Sequence, residues 1–373
     1  MTKPKIKIMN HMDCKSISLF ITGCLLLSLN AESQSFNEKR SFNKTLPVNR
    51  QMSLEVNNKY GTIHITPWRK DSVAVRVEIE ANSSSLSRLH KLFDGININI
   101  SGSSYQIRAE SEFNQNIDIL FESFKGMTSK FIPYDSRLQI NYFINAPEYL
   151  DMQIDNKYGD VYMENNTGKL SISLSNGSFK ANSLNESNQI ELIFCDANIN
   201  SIEKGNINAS FSDVSVGESG DLKISSIDSR YELKKAGKVD VESRRDKFYI
   251  GSVSEITGNS YFTDFRISEL NRLMDLVPKY GSLNADNIHK GIDLINIKSS
   301  YSDISLTFDP AASYNLDIRY VNAFLVLPEK NSDIEKKTIN EDKKEFTSFG
   351  KVGRNPGNAR VSIDATRGNI YLK

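Results

Sequence analysis

Five aspartates stand at matching places in a repeated phrase, and their spacing is the pattern best suited to chemistry: Asp160, Asp196, Asp213, Asp264 and Asp303. Two carboxylates roughly 5 to 10 Å apart can cleave a glycosidic bond, and a row of carboxylates could hold calcium. Other residue types interrupt the row at Ser178, Arg230, Lys247 and Ser282. Aspartate is also common in turns, because its carboxylate bonds nearby backbone amides. We interpret these acids as turn residues, and a carbohydrate-active enzyme is the alternative.

The other residues that could bind a metal or act as nucleophiles are scattered. No two of His64, His90 and His289 share a metal-ligand spacing, and Cys195 has no second cysteine near it to complete a site. His64 is expected on the surface and Cys195 as a buried, inert thiol. The chain has no phosphate-binding glycine loop, nucleophile elbow or zincin motif. The sequence therefore assigns no catalytic, cofactor-binding or metal-binding residue and no cofactor, and it predicts a protein that is not an enzyme.

A short phrase that returns every 17 to 21 residues must position these side chains. Its first apolar residues fall at positions 161, 179, 197, 214, 231, 248, 265, 283 and 304. The first and third residues of each copy are apolar, as in a strand with one buried face. Seventeen residues are too few for a crossover helix, but they suffice for one coil of a solenoid. The period predicts an all-β, parallel β-solenoid, similar to a β-helix, whose coils share one core.

Aromatic residues recur just before the turn that opens the phrase: Tyr158, Phe194, Phe211, Phe262, Tyr280 and Tyr301. We expect a stacked ladder that caps one corner of the core. The alternative is an exposed aromatic stripe for sugars or peptides. Glycines at 168, 220 and 237, each 11 residues before a core position, suit the opposite corner.

The first 33 residues read as a signal peptide. Four lysines precede an apolar run from Ile17 to Leu29, and Ala31-Glu32-Ser33 supplies small residues at a cleavage site. Export to the periplasm or the outer cell surface follows from this prediction. Lipid attachment at Cys24, within Ile21-Thr22-Gly23-Cys24, is an alternative. No later stretch of the sequence approaches 18 apolar residues, so no membrane span is expected in the mature chain.

The remaining chain divides by its patterns. Residues 34–150 read as a β-rich capping region with one short helix over 83–94 and an irregular loop over 111–136. The solenoid is expected over 151–328, a charged and glycine-rich loop over 329–358, and a closing β coil over 359–373. The chain holds 46 basic and 46 acidic residues. A balanced charge has no electrostatic footprint for nucleic acid.

Three phrases carry a resemblance to a known family: Asn-Lys-Tyr-Gly-Thr-Ile-His-Ile-Thr-Pro-Trp at 58–68, Asn-Lys-Tyr-Gly-Asp-Val at 156–161 and Arg-Gly-Asn-Ile-Tyr-Leu at 367–372. They resemble the "putative adhesin" domain family of bacterial envelope proteins, which is common in the Bacteroidetes and of unknown function. The resemblance implies an exported solenoid-like domain and transfers no catalytic residue. The sequence thus predicts an exported binding or structural protein whose partner is a glycan or an envelope protein. A sensor working with a membrane signalling partner is a further alternative.

Overall fold

The computed structural model describes residues 35–114 and 136–373. The predicted signal peptide, Cys24 and most of the predicted loop over 111–136 lie outside these residues. The described chain is almost entirely β structure and holds one helix, α1 (Leu86–Asp94). The strands are β1 (Phe36–Pro47), β2 (Ser53–Lys59), β3 (Ile63–Pro67), β4 (Ser72–Ser83), β5 (Ile96–Gly102), β6 (Gln106–Phe113), β7 (Ser136–Ala146), β8 (Asp151–Lys157), β9 (Val161–Asn166), β10 (Leu170–Ser210), β11 (Asp213–Ile227), β12 (Arg230–Arg244), β13 (Lys247–Tyr261), β14 (Asp264–Lys279), β15 (Ser282–Ile288), β16 (Leu294–Ser300), β17 (Asp303–Phe308), β18 (Tyr314–Val321), β19 (Phe324–Val326), β20 (Ser332–Asn340), β21 (Glu345–Val352), β22 (Arg360–Thr366) and β23 (Asn369–Leu372).

The strands pair in two ladders, and β10 to β14 contribute a segment to each. The first ladder runs β1–β4–β7–β3–β9–β10–β11–β12–β13–β14–β15–β17–β23–β19. The second runs β5–β6–β2–β8–β10–β11–β12–β13–β14–β16–β22–β18–β21–β20. We use "coil" for one first-ladder segment together with its neighbouring second-ladder segment.

Register in the middle coils follows the sequence period. Ala197, Val214, Tyr231, Phe248 and Phe265 face one another in order on neighbouring parallel strands. All five are buried and belong to one hydrophobic cluster, which also holds the inward residues of the second ladder. The predicted core positions and their register are therefore confirmed. Alternation with period two places this apolar set on one face, and a slip by one residue would expose all of it.

A weaker apolar alternation seven to nine residues before each phrase, as at Leu222/Ile224 and Val239/Val241, predicts two short strands and two turns in each period. The structure instead shows single strands of 15 or 16 residues, such as β11 to β14. Pairing continues through the glycine corner, where Glu218 lies opposite Lys235 and Asp221 opposite Lys238. Because each bend repeats the bend of its neighbour, the backbone hydrogen bonds are kept around it.

Both ends depart from a purely parallel stack. At the N-terminal end, β2 lies between β6 and β8, and β3 lies between β7 and β9. At the C-terminal end, β22 lies between β16 and β18, and β23 lies between β17 and β19. The predicted closing coil at 359–373 does form strands, but it is inserted one place inside the end.

Antiparallel strands complete each end. β1, β4 and β7 pair antiparallel, as do β5 with β6 and β21 with both β18 and β20. The predicted loop at 329–358 is thus corrected, because most of it forms the β20–β21 hairpin. Its partly buried Ile334 and Phe346 pack against the core despite the many charges around them. A hairpin covers the last coil, and its charged outer strand discourages further pairing.

Helix α1 confirms the helical pattern predicted over 83–94. Leu89, Leu92 and Phe93 are buried, whereas Leu86 and His90 face solvent. Arg40 of β1 lies over the Phe93 ring, 4.5 Å from its centre. With nine residues, this helix of the described chain falls short of the length and hydropathy that a membrane crossing requires.

Candidate functional site

One corner of the stack is built from residues in the left-handed backbone conformation. Their φ angles lie between 49° and 66°, and one stands in each coil whose corner the structure describes: Tyr60, Tyr158, Asn176, Phe194, Phe211, Asp228, Arg245, Phe262, Tyr280, Tyr301, Asn322 and Arg367. A bulky residue rarely adopts this conformation, because its Cβ crowds the following carbonyl at a cost of roughly 1 to 2 kcal/mol. We call the aromatic members Tyr60, Tyr158, Phe194, Phe211, Phe262, Tyr280 and Tyr301 the corner stripe.

The rings of the corner stripe stack in three runs. Tyr60 and Tyr158 lie 5.5 Å apart, and Phe194 and Phe211 lie 4.9 Å apart. The third run is Phe262, Tyr280 and Tyr301, with centres separated by 5.0 and 4.9 Å. These distances follow the strand spacing of about 4.8 Å. Stacking within each run offsets part of the backbone strain.

The corner stripe is exposed. Phe194, Phe211 and Phe262 each keep more than half of their surface accessible, and Tyr158 and Tyr301 keep 40% and 44%. The sequence favoured a ladder that caps the core, with an exposed stripe as the alternative. The structure shows a stacked ladder that is exposed, so both descriptions hold in part. An exposed apolar row on a soluble surface is a common mark of a binding site.

Polar residues separate the three runs. Asn176 stands between Tyr158 and Phe194, while Asp228 and Arg245 stand between Phe211 and Phe262. Arg245 and Asp228 form a bidentate ion pair, with 2.7 Å between Nε and Oδ1, and this pair fills the second gap. It holds the pKa of Asp228 below its usual range. The first gap has only an exposed amide in it.

A buried polar ladder lies directly behind the corner. Cys195, Ser212, Ser229 and Asp246 each donate a backbone N–H to the side chain of the next coil, at 3.0, 3.2, 2.7 and 3.4 Å. Thr263 accepts the last of these bonds. Cys195 is buried, as predicted, and burial raises the pKa of its thiol.

Asp246 is the carboxylic acid of the buried polar ladder. Its carboxylate accepts from the backbone N–H of Ser229 at 2.7 Å, the hydroxyl of Ser243 at 2.6 Å and the N–H of Arg244 at 3.1 Å. Burial raises the pKa of Asp246, and these hydrogen bonds oppose the rise. The carboxylate holds the corner together and does not reach the surface, since it is 1% exposed.

The Asn-Lys-Tyr-Gly phrases are the device that joins the N-terminal coils at this corner. The buried amides of Asn58 and Asn156 donate to the carbonyls of Ile140 and Gly61, both at 3.0 Å. A Cβ at Gly159 would lie 2.0 Å from the Gly61 oxygen, so only glycine fits there. In each phrase, the Asn side chain bonds a neighbouring coil and the Tyr ring stacks on its counterpart. The Gly leaves room for the backbone of the neighbouring coil.

Three of the five aspartates of the repeat bond the backbone of the next coil. Asp160, Asp264 and Asp303 accept backbone N–H groups of the next coil at 2.8, 3.1 and 2.9 Å, which is turn chemistry. Asp196 and Asp213 lie opposite each other in register above a shallow hollow of about 480 Å³. Both are exposed. The structure thus gives three of the five acids a turn role and leaves the other two on an open surface.

The three histidines of the described residues lie in different places. His90 is on α1, and His289 follows β15 with its Nδ1 accepting from Gly291 at 3.1 Å. His64 was expected as an ordinary surface residue, but it is stacked between Phe143 and Tyr162 at 5.2 and 5.0 Å. Partial burial lowers its pKa. Among the described residues, no group of three or more His, Cys, Asp or Glu side chains could hold a metal ion.

The sequence already held the signals for what it missed. His64 and Tyr162 occupy the same place in the two Asn-Lys-Tyr-Gly copies, so stacking between them was open to inference. The aromatic residues of the corner also alternate with Asn, Asp and Arg at the same step of the repeat. Asn and Asp are enriched in the left-handed conformation, and their mixture with aromatics marked the corner residue.

Comparisons with known proteins add names but little detail. No family model matches the chain, and no curated protein matches it. A "putative cell adhesion protein" from Clostridium sporogenes has 11% identity and a TM-score of 0.20, covering 90% of this chain and 100% of that chain. A "putative adhesin" and a "putative lipid binding protein" from Parabacteroides distasonis each have 10% identity and cover 72% of this chain and 93% of theirs, with TM-scores of 0.27 and 0.28. The names agree with the family that the Asn-Lys-Tyr-Gly phrases resemble.

Proposed function

We propose that this chain is an exported, non-catalytic β-solenoid that binds a glycan of the cell envelope along its corner stripe. The single observation that carries the proposal is the exposure of stacked aromatic rings at strained, left-handed positions. The fold does not require aromatic residues at this corner, because asparagine occupies it at Asn176 and Asn322. Backbone strain that the fold does not require is a mark of function. The leader at 1–33, the N-terminal capping region at 34–150 and the repeat region at 151–328 belong to this proposal.

The surface around the corner stripe suits a long, polar ligand better than a small molecule. The outer face of the first ladder has two shallow hollows of about 460 and 480 Å³, lined by Asn, Ser, Asp and Lys side chains. Asn182 and Asn200 lie in the first of them, with 3.2 Å between Nδ2 and Oδ1. Aromatic rings beside a row of amides and hydroxyls provide the contacts that sugars use, namely apolar faces and hydrogen-bonding groups.

The test is a glycan array probed with the wild-type protein and with a Phe194→Asn, Phe211→Asn double variant. Asparagine keeps the left-handed backbone, so the variant should fold and melt as the wild type does. We expect it to lose binding by about tenfold or more. A matched control is Tyr105→Asn, which removes a ring that is 78% exposed in the β5–β6 turn, away from the corner. Absence of any glycan ligand, or equal binding by all three proteins, would refute the proposal.

A further inference from the structure

The gap in the corner stripe at Asn176 forms a slot between two facing aromatic rings. Tyr158, Asn176 and Phe194 occupy the same corner position in three successive coils, with φ angles of 58°, 57° and 55°. The backbone N–H of Tyr158 bonds the Ser175 carbonyl at 2.9 Å, and the Cys195 thiol lies against the backbone of Asn176 and Gly177. The three coils are therefore direct neighbours.

The width of this slot is set by the strand spacing. Two steps of about 4.8 Å separate the Tyr158 and Phe194 rings by about 10 Å. A flat ring placed midway would lie about 5 Å from each wall. Tyr60 with Tyr158 and Phe194 with Phe211 stack at 5.5 and 4.9 Å. The slot is thus as wide as the missing rung of the stripe.

Each wall has one free face, and it points into the slot. Tyr60 covers the outer face of Tyr158, and Phe211 covers the outer face of Phe194. Tyr280, by contrast, lies between Phe262 and Tyr301 and has both faces covered. Contact with an aromatic face therefore requires entry at a gap. The gap at Asp228 and Arg245 is already filled by their ion pair.

The floor of the slot is polar and uncharged. The exposed Asn176 amide lies at its centre, with the half-buried Ser175 and Ser178 on either side. Ile193, the residue before Phe194, is 40% exposed. Apolar walls with an amide and hydroxyl floor match a ring that has C–H groups on both faces and hydroxyls around its rim. A pyranose sugar has that distribution, whereas an aromatic side chain has an apolar rim.

We propose that one pyranose ring of the bound glycan inserts between Tyr158 and Phe194, above Asn176. The two ring faces contact the C–H groups of the sugar, and Asn176, Ser175 and Ser178 bond its hydroxyls. This slot deepens the proposed function and rests on it, since it names one subsite of the corner stripe.

The test fills the slot without disturbing the corner. In Asn176→Phe, the new ring takes the place of the missing rung, and the neighbouring coils show that phenylalanine is accepted at this backbone conformation. Asn322→Phe is the matched control, because Asn322 has a φ of 49° at the same corner but lies at the far end of the stack. Circular dichroism and thermal melting confirm that both variants fold. Phe194→Asn, which removes one wall, gives a second variant should Asn176→Phe fail to fold.

Binding is measured by saturation-transfer NMR with the methyl glycosides of glucose, galactose, mannose and N-acetylglucosamine at millimolar concentration. We expect at least one glycoside to bind the wild type and Asn322→Phe, and to bind Asn176→Phe and Phe194→Asn about tenfold more weakly or not at all. Equal binding by Asn176→Phe and wild type would overturn the slot. N-acetyltryptophan amide serves as the aromatic probe, and its binding in place of every sugar would overturn the assignment to a pyranose.

The array distinguishes this failure from failure of the proposed function. If Phe194→Asn, Phe211→Asn loses an array ligand that Asn176→Phe retains, the slot is refuted and the corner stripe stands. If the wild type binds no glycan on the array, the proposed function itself fails.

Discussion

Strand edges are satisfied in different ways in the middle of the molecule and at its two ends. From β10 to β14, each strand pairs in parallel with the segment 17 or 18 residues later. At the ends, β2 pairs with β8, 98 residues away at Ser53 and Asp151, and β18 pairs with β22, 45 residues away at Asn315 and Arg360. The middle repeats a local pattern, whereas each end is closed by inserted coils and antiparallel hairpins. The pairing that extends the middle is thus different from the pairing that closes the ends.

Deletion of residues 359–373 should have the largest effect on this arrangement. It removes β22 and β23, which lie between the β16–β17 coil and the β18–β19 coil. We expect hydrogen exchange to show loss of protection in β18, β20 and β21 as well as in β16, because β18 keeps only β21 as a partner. Replacing β20 and β21 with a flexible linker is the control and should leave β16 protected. Protected β18 after the deletion would mean that 359–373 is a terminal coil.

A buried charge should destabilise the protein more in the middle coils than at the ends. Val214 is 2% exposed between Ala197 and Tyr231, so Val214→Asp should destabilise the protein by about 4 kcal/mol. Leu325 lies partly buried on the short strand β19 at the end, and Leu325→Asp should cost about 1 kcal/mol. Urea denaturation measures both. Equal costs would show that the core does not deepen toward the middle.

The junction between an inserted coil and the repeat depends on glycine. In Gly159→Ala, the new Cβ would lie 2.0 Å from the Gly61 oxygen, and the coils must separate. We expect a loss of about 3 kcal/mol in the free energy of unfolding. Gly357→Ala is the control, since its φ is +54° but nothing lies within 4 Å of the added carbon. Its cost should be about 1 kcal/mol, from backbone strain alone. A benign Gly159→Ala would contradict the tight junction.

The smallest expected effect concerns pH and the buried polar ladder of the middle coils. Because burial raises the pKa of Asp246, the folded state binds its proton more tightly than the unfolded state does. The contribution of Asp246 to stability is therefore full below about pH 3.8 and is lost as the pH rises through its folded pKa. Asp246→Asn gives up one hydrogen bond at every pH but removes this dependence. We expect the stability of the variant, relative to wild type, to improve between pH 4 and pH 7. A constant difference across that range would show that Asp246 keeps its ordinary pKa.

The sequence was sufficient to predict the core positions of the middle coils and their register, and insufficient for the ends. The period placed Val161, Phe179, Ala197 and the positions after them in a register that the structure confirms. Local patterns could not reveal that β22 is inserted beside β16, because that pairing depends on which of several similar strands is nearest in space. The β20–β21 hairpin was missed because Lys and Glu dominate its composition and few apolar residues mark its inner face.

The candidate site was predicted in part. The period identified the aromatic positions of the corner stripe, and their mutual stacking was expected. Exposure could not be read from residue type, since Phe194 and Phe248 are both phenylalanine and one is 56% exposed while the other is fully buried. The difference lies in the left-handed backbone at Phe194, which turns its side chain away from the core. Backbone conformation at a corner depends on the coils above and below it, and a single strand pattern does not encode it.

Insertion of the last strands has a consequence for the order in which the molecule is made. Strands β18 and β19 precede β22 and β23 in the chain, and among the described residues β22 and β23 are their parallel neighbours. Strands β18 and β19 therefore keep open backbone on one side until residues 359–373 pair with them. Loss of 359–373 removes more pairing than those residues contain, because the two strands on their far side lose a neighbour as well.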